Sequence, residues 1–126
     1  MHDEVHALKD KVKAAHLNRS FPGKVGIEIP LNIKPDFEWG ERLKRVFETA
    51  SPGKKIPFVW DDHITLWVDK SRPETELEQL YSCIEEANNS YRVLKERRQR
   101  SELRREERRK KEDAELSAIN AKLRRV

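Results

Sequence analysis

Val25-Gly26-Ile27-Glu28-Ile29-Pro30-Leu31-Asn32-Ile33-Lys34 alternates apolar and non-apolar residues through ten positions. A period of two places Val25, Ile27, Ile29, Leu31 and Ile33 on one side of an extended chain. The stretch therefore predicts a strand with one dry face and one wet face, and the dry face demands a cover. Pro30 has no N–H to give to a ladder, which predicts a place at the edge of a sheet.

The cover comes next in the chain. Pro35-Asp36 opens a helical pattern in which Trp39, Leu43, Val46, Phe47 and Ala50 share one face, and Ser51-Pro52-Gly53 ends it. Ile56–Trp60 and His63–Val68 then read as two strands joined by Asp61-Asp62, because Asp tolerates the backbone angles of a tight turn. A two-residue loop opposes Trp60 to His63, Phe58 to Thr65 and Ile56 to Trp67. It leaves Val59, Ile64, Leu66 and Val68 on the other face. Ser71-Arg72-Pro73-Glu74 has the form of a helix start, with Ser71 as cap and Glu74 reaching back. Leu77, Leu80, Ile84, Ala87, Tyr91 and Leu94 follow at alternating spacings of three and four. Upstream, Val5, Leu8, Val12 and Ala15 have the same spacing. They predict an N-terminal helix with Asp3 and Glu4 at its positive end, stopped at Phe21-Pro22-Gly23.

The expected fold is a small α+β domain over residues 1–94, ordered helix-strand-helix-strand-strand-helix. A basic, charged helical extension follows over residues 95–126. The β-α-β-β-α section resembles the beginning of a ferredoxin-like split sandwich, although no fourth strand is visible. No Gly or Pro interrupts the chain after Glu74. A continuous helix from there to the end would be about 80 Å long at 1.5 Å per residue. Its outer half then projects, folds back or pairs with another chain. Glu102 with Arg105, Glu106 with Lys110 and Glu107 with Lys111 are helical neighbours of opposite sign.

Charge separates along the chain. Arg92–Val126 holds 14 Lys/Arg and seven Asp/Glu, a net +7, whereas residues 1–91 hold 13 and 16, a net −3. Such asymmetry points to nucleic acid or to an acidic protein surface. No apolar run is long enough for a membrane span. Cys83 is the only cysteine, so no intramolecular disulfide or cysteine metal cage forms within one chain. The expected location is cytoplasmic, and no cofactor is implied.

The candidate nucleic-acid contacts are Arg97, Arg98, Arg104, Arg105, Arg108, Arg109, Lys110 and Lys111. Guanidinium forks suit phosphate oxygens. Along a helix these cations extend over several faces, with six acidic residues interleaved between Lys95 and Asp113. The competing reading is a solvated, ion-paired helix. Leu116, Ile119, Leu123 and Val126 restore a short apolar stripe at the end, too short for a coiled coil alone but suited to self-association. Phe58, Trp60, His63 and Trp67 share one hairpin face. That face is a second candidate for partner contact, chiefly Trp60 and Trp67, either as a base-stacking platform or as core.

Other constellations are weaker. His2 and His6 have helical chelate spacing but no evident third ligand. Asp61, Asp62, His63 and Asp69 crowd a turn, but turns favour the same residues. Pro22-Gly23-Lys24 and Pro52-Gly53-Lys54 lack the glycine spacing of a phosphate loop. Cys83 lacks a nucleophile signature. The functional expectation is a non-enzymatic nucleic-acid-associated binding protein using its basic C-terminal helix. The alternative is a protein–protein interaction or assembly module using that helix, with neither a catalytic nor a metal site.

Overall fold

In the computed structural model, residues 4–17 and 22–126 are described. Four strands form one antiparallel sheet: β1 (Lys13–Leu17), β2 (Lys24–Pro30), β3 (Phe58–Trp60) and β4 (His63–Asp69). Two helices complete the fold, α1 (Phe37–Ala50) and α2 (Pro73–Arg124). By contacts the chain separates into two units, residues 1–92 and 93–126.

The first unit is built on β2. Ile27, Ile29 and Leu31 are buried against Ile64, Leu66 and Val68 of β4. Trp39, Leu43 and Phe47 from α1, with Leu80, Cys83, Ile84 and Ala87 from α2, close the same core. Asp36 caps α1 by accepting from the Trp39 backbone N–H at 2.9 Å. Tyr91 donates its hydroxyl to the second Asp36 oxygen. The β3–β4 register pairs Phe58 with Thr65 and Trp60 with His63. Asp61, at φ 49°, takes the left-handed turn position. Ile56 precedes β3 and has no partner in its ladder.

Three local expectations are corrected. Among the described residues, 4–17 form no α-helix. Their four-residue apolar stripe is narrow, and a short helix is marginal without extensive packing. The free edge of β2 offers backbone partners instead. Ala7 bridges Leu31, the Leu8 N–H donates to the Pro30 carbonyl at 2.8 Å, and β1 pairs with β2. Asp3 and Phe21, at the two ends of the expected helix, lie outside the described residues.

Pro30 does not mark an edge, because the sheet order is β1-β2-β4-β3 and β2 is internal. Pro30 is the last residue of its strand. A 3-10 turn over Lys9–Lys11 carries the N-terminal segment out of the ladder between the Ala7 bridge and Lys13. A residue without an N–H is therefore tolerated there.

Ser71 does not cap α2. Its N–H and hydroxyl both donate to Asp69, at 3.0 and 2.9 Å. Pro73 takes the first helical position, where its missing N–H costs nothing.

The strand order also clarifies the ferredoxin-like resemblance. The run β2-α1-β3-β4-α2 places β4 between β2 and β3, as that order requires. The fourth position, beside β2, is filled by β1 from the front of the chain rather than by a strand after α2.

The N-terminal segment is tied down by Asn88. Its amide nitrogen donates to the Val5 carbonyl at 2.8 Å, while its oxygen accepts from the Val5 N–H at 3.2 Å and the Trp39 indole at 2.9 Å. Asn88→Ala strands all three groups. It is expected to lower stability by about 1–3 kcal/mol. A urea midpoint unchanged from that of the parent chain would show that the amide does not hold these elements together.

Candidate functional site

Residues 96–126 are exposed, and those up to Arg124 continue α2. At about 100° per residue the charges of this helix segregate. Arg97, Arg98, Arg100, Arg104, Arg105, Arg108, Arg109 and Lys111 share one half of the circumference. Glu96, Glu102, Glu106 and Glu107 occupy the other half, together with Lys110. The cations thus span half of the circumference. Seven of the eight sequence-predicted residues converge, Lys110 does not, and Arg100 joins them. The basic half is about 21 Å long from Arg97 to Lys111. Among the described residues, Glu102–Arg105, Glu106–Lys110 and Glu107–Lys111 are not closed as ion pairs.

Leu116, Ile119 and Leu123 are 58%, 52% and 64% exposed. They follow the basic run on the same half of the helix, after Glu112 and Glu115, and Val126 lies beyond its end. No described helix is long and apolar enough to cross a membrane.

The second candidate surface is the sheet face opposite the core. α1 and the first turns of α2 cover only the face bearing Ile27, Ile29, Ile64, Leu66 and Val68. Alternation puts Phe58, Trp60, His63, Thr65 and Trp67 on the other face. These aromatics do not belong to the buried core: Phe58 is 63% exposed and Trp60 38%. Trp60 is held in place. Its ring stacks on His63 with centroids 4.8 Å apart, and its indole N–H donates to the Thr65 hydroxyl at 2.8 Å.

Trp67 reaches over Gly26, where an added Cβ would stand 3.2 Å from the indole and 3.0 Å from His16 Cβ. Gly26 is thus the residue that lets the indole approach the backbone. The Lys55 ammonium lies 4.9 Å from the Trp67 ring centre. His16 bonds Glu28 at 3.0 Å, and His63 bonds Asp62 at 2.6 Å.

A cavity of about 290 Å³ is lined by Phe47, Leu66, Trp67 and Gln79, with Lys24, Lys54, Lys55 and Glu76 among its polar residues. Glu76 is satisfied internally, by Lys54 at 3.3 Å and by the Asp69 N–H at 2.8 Å.

The turn carboxylates do not assemble. Asp61 faces Lys34 at 4.0 Å, Asp62 holds His63, and Asp69 accepts from Ser71. The Ser71 backbone and hydroxyl bonds hold the Asp69 carboxyl below its ordinary pKa. Among the described residues no His/Cys/Asp/Glu group has metal-site geometry. His2 lies outside the described residues. The features that sequence reasoning passed over are the N-terminal strand, Asn88, the Gly26–Trp67 approach and the separation of charge around the helix. Only Gly26 and the charge separation carried a signal, the first as a glycine inside a strand and the second in a helical projection.

No protein-family model, curated protein or solved structure matches this chain.

Cys83 is buried, and burial first, then Glu86, pushes its thiol pKa up. The folded chain thus keeps the thiol proton to higher pH than the unfolded chain. Cys83 leaves stability untouched below the ordinary thiol range and lowers it as pH rises through that range. Iodoacetamide at pH 8 is expected to modify the folded chain roughly tenfold or more slowly than the urea-unfolded chain. Equal rates would show an accessible, reactive thiol.

Proposed function

We propose that this chain is a non-enzymatic nucleic-acid-associated binding protein whose basic helix face engages the phosphate backbone. The observation that supports the reading is the gathering of eight cations, from Arg97 to Lys111, on one half of an exposed helix. Interleaved acids argue against phosphate binding only if they stand among the cations. Here five of the six acids stand opposite them, and Glu112 alone stands on the basic half, at its end. Arg forks pair bidentately with phosphate oxygens, and each contact releases counterions. Binding of this kind depends steeply on salt.

The test compares two sets of substitutions in the full chain. Arg104, Arg105, Arg108 and Arg109→Gln removes four cations from the basic half. The slope of log K against log salt should become shallower by about three to four, with weaker binding to any oligonucleotide. Glu102, Glu106 and Glu107→Gln on the opposite half should not weaken binding. Equal affinities for the parent chain and the Arg variant would sink the proposal.

A second reading is favoured by the exposure of Leu116, Ile119 and Leu123. Self-association through this stripe would bury apolar surface that the monomer leaves in water. If it operates, light scattering of the parent chain gives at least twice the monomer mass even at high salt. Leu116, Ile119 and Leu123→Ser then returns the mass to that of the monomer. A parent chain that is monomeric at high concentration removes this reading.

A further inference from the structure

We infer that the uncovered face of the sheet takes the unpaired bases of a single-stranded nucleic acid, with Phe58 and Trp60 as stacking platforms. The class of partner rests on the nucleic-acid reading of the helix. The base contact rests on the sheet.

Phe58 and Trp60 are two positions apart on β3, on the same face and both accessible. Two residues of a strand span about 6.6 Å. That is roughly twice the ~3.4 Å between stacked bases of a duplex strand. Neighbouring bases can each lie on one of these rings only after leaving their own stack, which a single strand does easily and a duplex does not. Trp60 also arrives ordered. Its His63 stack and its Thr65 hydrogen bond hold the ring before any ligand is present, so little side-chain entropy is lost on stacking.

Lysines able to meet phosphate stand around these rings. Lys13, Lys24 and Lys55 are exposed, and Lys24 stands across the β2–β4 pair from Asp69, whose pKa Ser71, and then Lys24, helps to lower. Lys13 and Lys24 belong to the outward positions of β1 and β2, and the Lys55 ammonium sits against Trp67. The carboxylates of the face are hydrogen-bonded to their own neighbours: Glu28 to His16, Asp62 to His63 and Asp69 to Ser71. Lysine ammonium groups beside exposed aromatic rings are the combination that holds single strands without reading sequence. Stacking uses the flat side of a base and is indifferent to the sugar, so one oligonucleotide suffices as probe.

Fluorescence anisotropy of the full chain with a labelled twelve-residue oligothymidine, and with a twelve-base-pair duplex, tests the inference. Phe58→Ala alters a mostly exposed ring, and its unfolding transition checks that the fold is kept. Trp60→Phe is a second variant that keeps an aromatic ring. Phe58→Ala should weaken oligothymidine binding roughly 5–100-fold and leave duplex binding unchanged, while Trp60→Phe retains most of the affinity. The Arg variant of the helix should weaken both probes.

Phe58→Ala binding oligothymidine like the parent chain, or losing both probes in proportion, overturns the inference. A parent chain that binds duplex but not oligothymidine overturns the sheet contact and leaves the helix reading standing. Binding of neither probe overturns both. If Phe58→Ala instead halves the mass seen by light scattering, the face belongs to a second copy of the chain and the inference fails.

Discussion

The side-chain amide of Asn88, together with that of Asn32, holds the first described residues in place. Asn88 gives its N–H to Val5 and takes hydrogen bonds from Val5 and from the Trp39 indole. Those contacts join the N-terminal segment, α1 and α2 at the margin of the core. A half-buried amide that engages three partners is stable there because each group would otherwise lose water without compensation. With Val5 anchored, the chain runs on through the Ala7–Leu31 bridge into β1.

The position of β1 has a consequence at the other end of the molecule. The sheet needs a strand beside β2, or that edge is left with open backbone groups. In the ferredoxin-like order a strand after α2 fills the gap. Here β1 fills it from the front, so α2 has no strand to supply and continues as helix to Arg124. The charged C-terminal third of the chain is thus compatible with a complete four-stranded sheet, to which it contributes nothing.

The two candidate surfaces share a physical theme without sharing residues. On the helix, eight cations from Arg97 to Lys111 share one half of the circumference and the acids from Glu96 to Glu107 the other. On the sheet, the acids are hydrogen-bonded by histidine and serine, and lysine stands beside aromatic rings. Both arrangements suit a polyanion. The rings suit one that exposes flat apolar faces.

Strong periodic patterns were legible from the chain alone. The strand alternation from Val25, the helical stripe from Trp39, the Asp61-Asp62 turn and the hairpin register from Phe58 to Thr65 follow from local sterics and side-chain period, and the structure has them, although β2 ends at Pro30 short of Ile33 and Ile56 is left without a partner. The long uninterrupted helix was legible for the same reason, since nothing after Glu74 breaks it. The basic residues were visible as a list, and their common face became visible once the helix was taken as formed. Only tertiary structure decided the rest. The spacing of Val5, Leu8, Val12 and Ala15 satisfies a helix, yet a free strand edge and the Asn88 amide, some 80 positions away in sequence, offered more hydrogen bonds and burial than a short helix does. Whether the aromatics of β3 and β4 were core or surface was equally undecidable locally. Alternation assigns residues to a face, but which face the helices cover depends on contacts between distant parts of the chain.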